Sequence, residues 1–247
     1  MPSIKTKIKS VLKKLGYDVE ARRRFRIEFF DQKHLLPEPK IIFDVGAHRG
    51  ETVARYRQIY KDVKIYSFEP FEGAFEELMN RNREDRKFIP LKMALSDKKG
   101  ETDFFVNDES ATNSLFPPVD ISLRADHDND KYYVGTRKIS VQTDTIDSFC
   151  KNNSIDYVDI LKMDIQGGEL KALEGARKML DSAKFGLIYL EVEFVRLYEG
   201  QPLFHNICEY LNGFGYQLYK IYYLASAKNG QLIAADTLFV APNFIFK

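Results

Sequence analysis

Four carboxylates stand at or near the ends of apolar runs, where a parallel sheet would present them to a ligand. Asp44 lies in Ile41-Ile42-Phe43-Asp44-Val45, just ahead of the turn Gly46-Ala47-His48-Arg49-Gly50. Glu69-Pro70 ends the run from Val63, Asp164 ends Ile160-Leu161-Lys162-Met163, and Glu193 follows Leu187 to Val192. Gly46 lets the backbone turn sharply and approach a ligand without a Cβ, and Gly50 permits close packing of helix on strand. This turn is not the three-glycine G-x-G-x-x-G loop that seats a pyrophosphate on a helix N-terminus. An acid ahead of it repels phosphate and suits a cation such as the sulfonium and ammonium of S-adenosyl-methionine, directly or through water. Glu69, roughly 20 residues past the turn, is placed to accept hydrogen bonds from ribose hydroxyls. Together they read as a site for a nucleoside without phosphate. Two glycines alone would equally suit a structural turn. Buried carboxylates cost free energy unless paired, so two at successive strand ends ask for a ligand.

Methyl transfer from a sulfonium to an alcohol needs the nucleophile in line, and the alcohol must lose its proton during or after attack. A base is therefore expected at the carboxyl ends of the fourth and fifth strands. Asp164 is the expected base or acceptor anchor, with Gly167-Gly168 leaving room for the acceptor and with Glu169 and Glu193 in support. Glu169 also opens a helix, where a carboxylate favours the dipole, so a purely structural part stays open for it. Asp97, just after the third strand, is placed to reach the adenine. Ser110, Asn113 and Ser114 fit either ligand contact or ordinary loop polarity. Asp126-His127-Asp128-Asn129-Asp130 lacks the turn glycine and closing glutamate of a calcium loop, having Lys131 and Arg137 in their places. His34, His127 and His205 lack zinc spacing, and no metal is expected.

The elements that must position these groups alternate. After Pro37 and Pro39, strands are expected at Ile41–Val45, Val63–Phe68, Phe88–Leu95, Tyr157–Met163 and Leu187–Val192, as continuous apolar runs suited to burial on both faces. Helices are expected at Thr52–Tyr60, Phe71–Asn82, Thr145–Lys151, Gly168–Asp181 and Pro202–Asn212. Alternation of this kind implies a doubly wound α/β fold with a mostly parallel sheet. Tyr216–Ala225 and Leu238–Ala241 read as an antiparallel hairpin closing the sheet edge. Thr102–Asn107 and Lys138–Thr143 bracket a long irregular segment, an insertion at about 101–143 suited to a lid or acceptor-binding role.

The chain has 247 residues, 44% hydrophobic and 30% charged, as expected of one globular domain. A formal net charge of +1 argues against a general nucleic-acid partner. Cys150 and Cys208 are too few for a disulfide framework. No apolar run approaches the roughly 20 residues that cross a bilayer, and no signal-peptide pattern opens the chain, so a cytoplasmic protein is expected. Residues 1–36 read as a basic helical extension to the domain at 37–247, with Ile4, Ile8, Val11, Leu12 and Leu15 at helical spacing among lysines. Such a helix either contacts an anionic membrane surface or polyanion, or packs on the domain with its lysines in water.

Taken in order, Ile42 to Gly50, Tyr66-Ser67-Phe68-Glu69-Pro70, Ala94-Leu95-Ser96-Asp97, Thr143 to Asp147 and Leu161-Lys162-Met163-Asp164-Ile165-Gln166-Gly167-Gly168-Glu169 resemble the successive blocks of the FkbM family of O-methyltransferases. The resemblance runs from about Ile41 to Phe239. It implies a Rossmann-like methyltransferase sheet and S-adenosyl-L-methionine held by Asp44, Gly46, Ala47, His48, Gly50, Glu69, Pro70, Ala94, Leu95 and Asp97. It further implies methyl transfer to hydroxyls of sugars, glycolipids, polyketides or similar small molecules. His48 stands where the family more often has Asn, and either replaces an amide hydrogen bond or adds a titrating group. Two other readings stay open: a catalytically inactive S-adenosyl-methionine-binding module, and a nicotinamide-dependent oxidoreductase, which the missing pyrophosphate glycine disfavours.

Overall fold

A computed structural model of the protein describes residues 27–120 and 136–245. Its first half contains α1 (Ile27–Leu35), β1 (Ile41–Val45), α2 (Glu51–Ile59), β2 (Lys64–Phe68), α3 (Glu72–Asn82), β3 (Phe88–Leu91), β4 (Ala94–Leu95), β5 (Gly100–Val106) and a 3-10 turn at Ser110–Thr112. The second contains β6 (Arg137–Asp144), α4 (Ile146–Asn152), β7 (Val158–Met163), α5 (Glu169–Glu174), α6 (Arg177–Asp181), β8 (Phe185–Glu193), α7 (Phe204–Gly213), β9 (Gln217–Ser226) and β10 (Leu232–Val240). The basic helix expected ahead of Ile27 and the acidic segment Asp126 to Asp130 lie outside the described residues.

Seven strands form one sheet in the order β3-β2-β1-β7-β8-β10-β9. The first five are parallel, while β10 runs antiparallel between β8 and β9. Winding reverses between β1 and β7, which puts the switch point, the usual place for a ligand, at Val45 and Met163. The fold is doubly wound and mostly parallel, with an antiparallel C-terminal pair, as the alternation implied.

Strand parity sorts the core into two layers, because successive side chains point to opposite faces. Phe43, Val45, Leu161, Met163, Ile188, Leu190 and Phe239 fill one face, where Phe149 of α4 meets the rings of Phe43 and Phe68 edge-on. Ile42, Ile65, Ile160, Leu187, Tyr189 and Leu238 fill the other, against Tyr56 of α2 and Phe29 of α1. Helix α1 is part of this second layer. The Tyr56 hydroxyl donates to Gln32 at 3.0 Å, and Asp31 accepts from Lys220 at 2.6 Å and from Tyr222 at 3.0 Å.

Two expected elements are broken. The run Phe88–Leu95 is two strands, because Ala94-Leu95 leaves the main sheet to pair with Thr143-Asp144 in a second sheet ordered β4-β6-β5. The helix expected over Gly168–Asp181 divides at Gly175-Ala176, where a Cβ on Gly175 would lie 2.1 Å from the carbonyl oxygen of Ser96. The second sheet and the 3-10 turn lean over the carboxyl end of the first. A bridge between Phe105 and Ser114 and another between Pro118 and Tyr198 hold them there.

Candidate active site

At the switch point the first turn and the segment after β7 touch. Gly46 has φ +73°, and a Cβ there would meet the carbonyl oxygen of Asp164 at 1.9 Å, so no other residue fits without moving one of the two loops. The N–H groups of Gly46 and Ala47 both donate to the carbonyl of Phe68, at 3.0 and 3.1 Å, closing the turn onto β2.

Above this turn lies a partly enclosed cavity. Its apolar wall is Phe68, Leu95, Phe104, Leu115 and Ile165, and its polar groups come from Glu69, His48, Ser110, Asn113, Asp164 and Gln166. Glu69 is 6% exposed. Its two oxygens accept the N–H of His48 at 2.9 Å and of Phe71 at 2.8 Å, which leaves further lone pairs for ligand hydroxyls. Burial pushes its carboxyl up to about 7, against those two hydrogen bonds. His48 Nε2 lies 2.8 Å from the Ser110 hydroxyl, and burial lowers the ring below its ordinary value. This hydrogen bond ties the first turn to the 3-10 turn of the insertion. An apolar slot for a base, a carboxylate for vicinal hydroxyls and a glycine cradle with no space for a Cβ fit an adenosine without phosphates.

Of the residues expected at the cofactor, Gly46, His48, Glu69, Pro70, Ala94 and Leu95 line this cavity together with Asp164. Asp44 does not. Its side chain points to the opposite face of the sheet from Val45, is fully buried, and pairs with Lys162 Nζ at 3.1 Å. Lys162 also donates to the carbonyl of Gly46 at 3.0 Å. Burial raises the Asp44 carboxyl above its usual range against the pull of Lys162, while the charges of Asp44 and Asp164 outweigh burial and raise Lys162. Asp44, expected to meet a ligand cation directly or through water, does not line the cavity and supports the turn from beneath. Ala47 is buried, and Gly50 packs against Asn82 and Leu78 rather than the cavity. Asp97, expected to reach the adenine, does not line this cavity: it faces a separate groove with Thr145 and Asp147, and its carboxylate accepts from Ser96 at 3.0 Å.

At the cavity rim the Asp164 residue is exposed, whereas Glu169 and Glu193 are 0% and 1% exposed. Glu169 accepts the N–H of Ile165 at 2.8 Å with one oxygen, and its other oxygen, like one of Glu193, has no partner in the described structure. Burial pushes Glu169 up to about 7. Burial, followed by repulsion from neighbouring acids, lifts Glu191 and Glu193 well above the carboxylate range. Gln166 ties the group together. Its Nε2 donates to Asp164 at 3.2 Å and to Glu191 at 2.6 Å, and its backbone carbonyl accepts from Ser114 at 2.7 Å. The Tyr198 hydroxyl sits 2.9 Å from Gln166 Oε1 and 2.8 Å from the Thr112 carbonyl, and with one proton it serves one of them at a time. Gln166 holds φ +54°, a strained backbone for a residue with a Cβ. Neither Gln166 nor Lys162 was singled out from the sequence. A lone cation in the buried run Ile160–Met163 and a polar residue inside the Asp164–Glu169 block were the available signals.

Residues 44–218 match the model of the methyltransferase FkbM domain. The chain belongs to the FkbM methyltransferase family. Its relatives include the 2-O-methyltransferase NoeI of Sinorhizobium fredii, 28% identical over 182 residues, which covers 72% of this chain and 73% of that protein. The hexuronic acid methyltransferase AglP of Haloferax volcanii is 24% identical over 153 residues, covering 61% of this chain and 56% of its own, little more than half its length. Among solved structures, an rRNA methylase from Streptococcus thermophilus aligns with a TM-score of 0.46 and 13% identity over 87% of this chain and 95% of that one. As an FkbM methyltransferase the chain uses S-adenosyl-methionine, and Gly46, Glu69 and the apolar slot are the groups that would hold it. When bound, the cofactor supplies a methyl group on a positively charged sulfur. Among the described residues no three His, Cys, Asp or Glu side chains are disposed to hold a metal ion, and no helix is long and apolar enough to cross a membrane.

Proposed function

We propose that the chain methylates a hydroxyl of a saccharide or similar polyhydroxylated small molecule, with Asp164 as the group that takes the hydroxyl proton or anchors the acceptor. One observation carries this reading: the exposed Asp164 carboxylate lies in the wall common to the cofactor cavity and to a second, polar cleft between α2 and the ends of β7 and β8. A hydroxyl in that cleft would meet the carboxylate where methyl transfer requires it, and positioning itself contributes much of the rate. Gln166 holds Asp164 in place, and the buried acids behind it favour protonated forms, which leaves Asp164 the exposed carboxylate of the group. The activities of the two relatives, 2-O-methylation and hexuronic acid methylation, support an oxygen acceptor on a sugar. We place the activity in the cytoplasm, in keeping with the free thiols of Cys150 and Cys208.

The test is label transfer from S-adenosyl-methionine to a panel of free sugars, glycosides and polyols. Transfer to oxygen that Asp164→Asn nearly abolishes supports the proposal. Cofactor binding without transfer to any hydroxyl acceptor favours the inactive binding module instead.

A further inference from the structure

The second cleft is bounded by Thr52 and Arg55 of α2, by Asp164 beyond β7, by Tyr189 and Glu191 of β8 and by Asp236 of β10. Strand parity gathers these polar groups, because Lys162, Tyr189, Glu191 and Asp236 all point to the α2 face of the sheet, and Asp236 stands opposite Glu191 in register. Most of the charges there have a partner within the protein. Asp236 accepts the Tyr189 hydroxyl at 2.6 Å, Glu191 and Asp164 share the Gln166 amide, and Lys162 is held by Asp44 and the Gly46 carbonyl.

Arg55 differs. It is half-buried in the cleft wall and makes no hydrogen bond or ion pair with any described residue. Nearby arginines do pair: Arg57 with Asp85, Arg49 with Glu77, and Arg81 with Glu51. A guanidinium offers five N–H donors in a planar fork that matches an oxyanion. Carboxylates already holding one donor keep lone pairs that accept further hydroxyl hydrogens. The cleft therefore has acceptors for hydroxyls along one side and, among the described residues, no anion at Arg55.

Resting on the O-methylation reading above, we propose that this cleft takes the methyl acceptor and that Arg55 selects acceptors carrying an oxyanion on a polyhydroxylated ring. A sugar carboxylate and a sugar phosphate share that chemistry. Hydroxyls of the ring face Asp164 and Glu191, and the anion lies against the guanidinium.

Initial rates of methyl transfer to uronic acids, sugar phosphates and matching neutral sugars, free and as glycosides, test this with the whole chain. The wild type should prefer anionic over neutral acceptors in kcat/KM by about tenfold or more, as a charge-assisted contact implies. Arg55→Gln should collapse that ratio, chiefly through KM of the anionic acceptor, and Arg55→Lys should restore part of it by keeping the charge. The uronate and phosphate arms show which oxyanion fits. A role in folding alone would lower both classes together and leave the ratio intact, which would overturn the proposal. Transfer to neutral sugars in preference to anionic ones would overturn it while leaving O-methylation standing. Absence of transfer to any hydroxyl acceptor would reject both.

Discussion

Asp44 and Lys162 stand opposite each other on adjacent parallel strands, and their side chains form a buried ion pair 3.1 Å long directly beneath the cofactor turn. Removing one member leaves a buried charge without its counter-ion, which costs roughly 3–5 kcal/mol. Lys162→Met should therefore lower the unfolding free energy by that order in urea at pH 7.5. The deficit should shrink at pH 5, because burial already raises Asp44 and a proton can neutralise it. Asp44→Asn combined with Lys162→Met should recover part of the loss. A single variant within about 1 kcal/mol of wild type would show that the pair is not what supports the turn.

Cofactor affinity should depend on Glu69 and on pH. Its carboxyl sits near 7 in the free protein, so the anion that accepts ribose hydroxyls is depleted as pH falls from 8 to 6. Affinity for S-adenosyl-homocysteine, followed by calorimetry, should weaken over that window. Glu69→Gln should flatten the profile. Glu69→Ala should lose about ten- to a hundredfold. A wild-type affinity that does not change between pH 6 and 8 would remove Glu69 from the ribose.

Asp164→Asn is expected to depress kcat by orders of magnitude while cofactor affinity stays within a few-fold. The amide keeps the shape of the cavity wall but cannot hold the proton. Gln166→Leu should lower kcat by a smaller factor, about ten- to a hundredfold, since it frees Asp164 without removing it. Single-turnover kinetics separate the two. An Asp164→Asn enzyme with wild-type turnover would show that the proton leaves by another route.

Glu169 should trade stability against its place in the acid group. Its folded value of about 7 lies above the ordinary 4.5, so its contribution to stability is intact below about 4.5 and is lost as pH rises through about 7. Glu169→Gln removes that loss and places a donor near the unpartnered oxygen of Glu193. Thermal unfolding at pH 8 should rise, by on the order of 2–3 kcal/mol, with little change at pH 5. Equal stabilisation at both pH values would point to packing rather than charge.

Parity explains which parts of the site were legible. The buried runs Ile41–Val45 and Tyr157–Met163 named their strands, and the Gly46 turn and Glu69, both lining the cavity, were picked out from their place at strand ends. Asp44 does not line the cavity because the cavity opens on the Val45 face, one residue out of phase, and a continuous apolar strand does not reveal on which face a cavity will open. Lys162 shares the Asp44 face, so its pairing becomes visible only once β1 and β7 are neighbours. Asp97 looked like a strand-end acid because Phe88–Leu95 read as one strand, yet β4 pairs with β6 and turns Asp97 toward another groove. Periodicity reports burial along a segment, and the choice of partner strand is a long-range event that it does not encode.

The insertion of β10 between β8 and β9 also bears on biosynthesis. Until Leu232 to Val240 have emerged, β8 presents Leu187 to Val192 as an open, apolar template with no strand on that side. The β9–β10 hairpin must form and then dock as a unit, a non-local step that comes after the other described strands have been made. Chains interrupted or cleaved ahead of Leu232 should therefore aggregate through the β8 edge rather than accumulate as a smaller folded core.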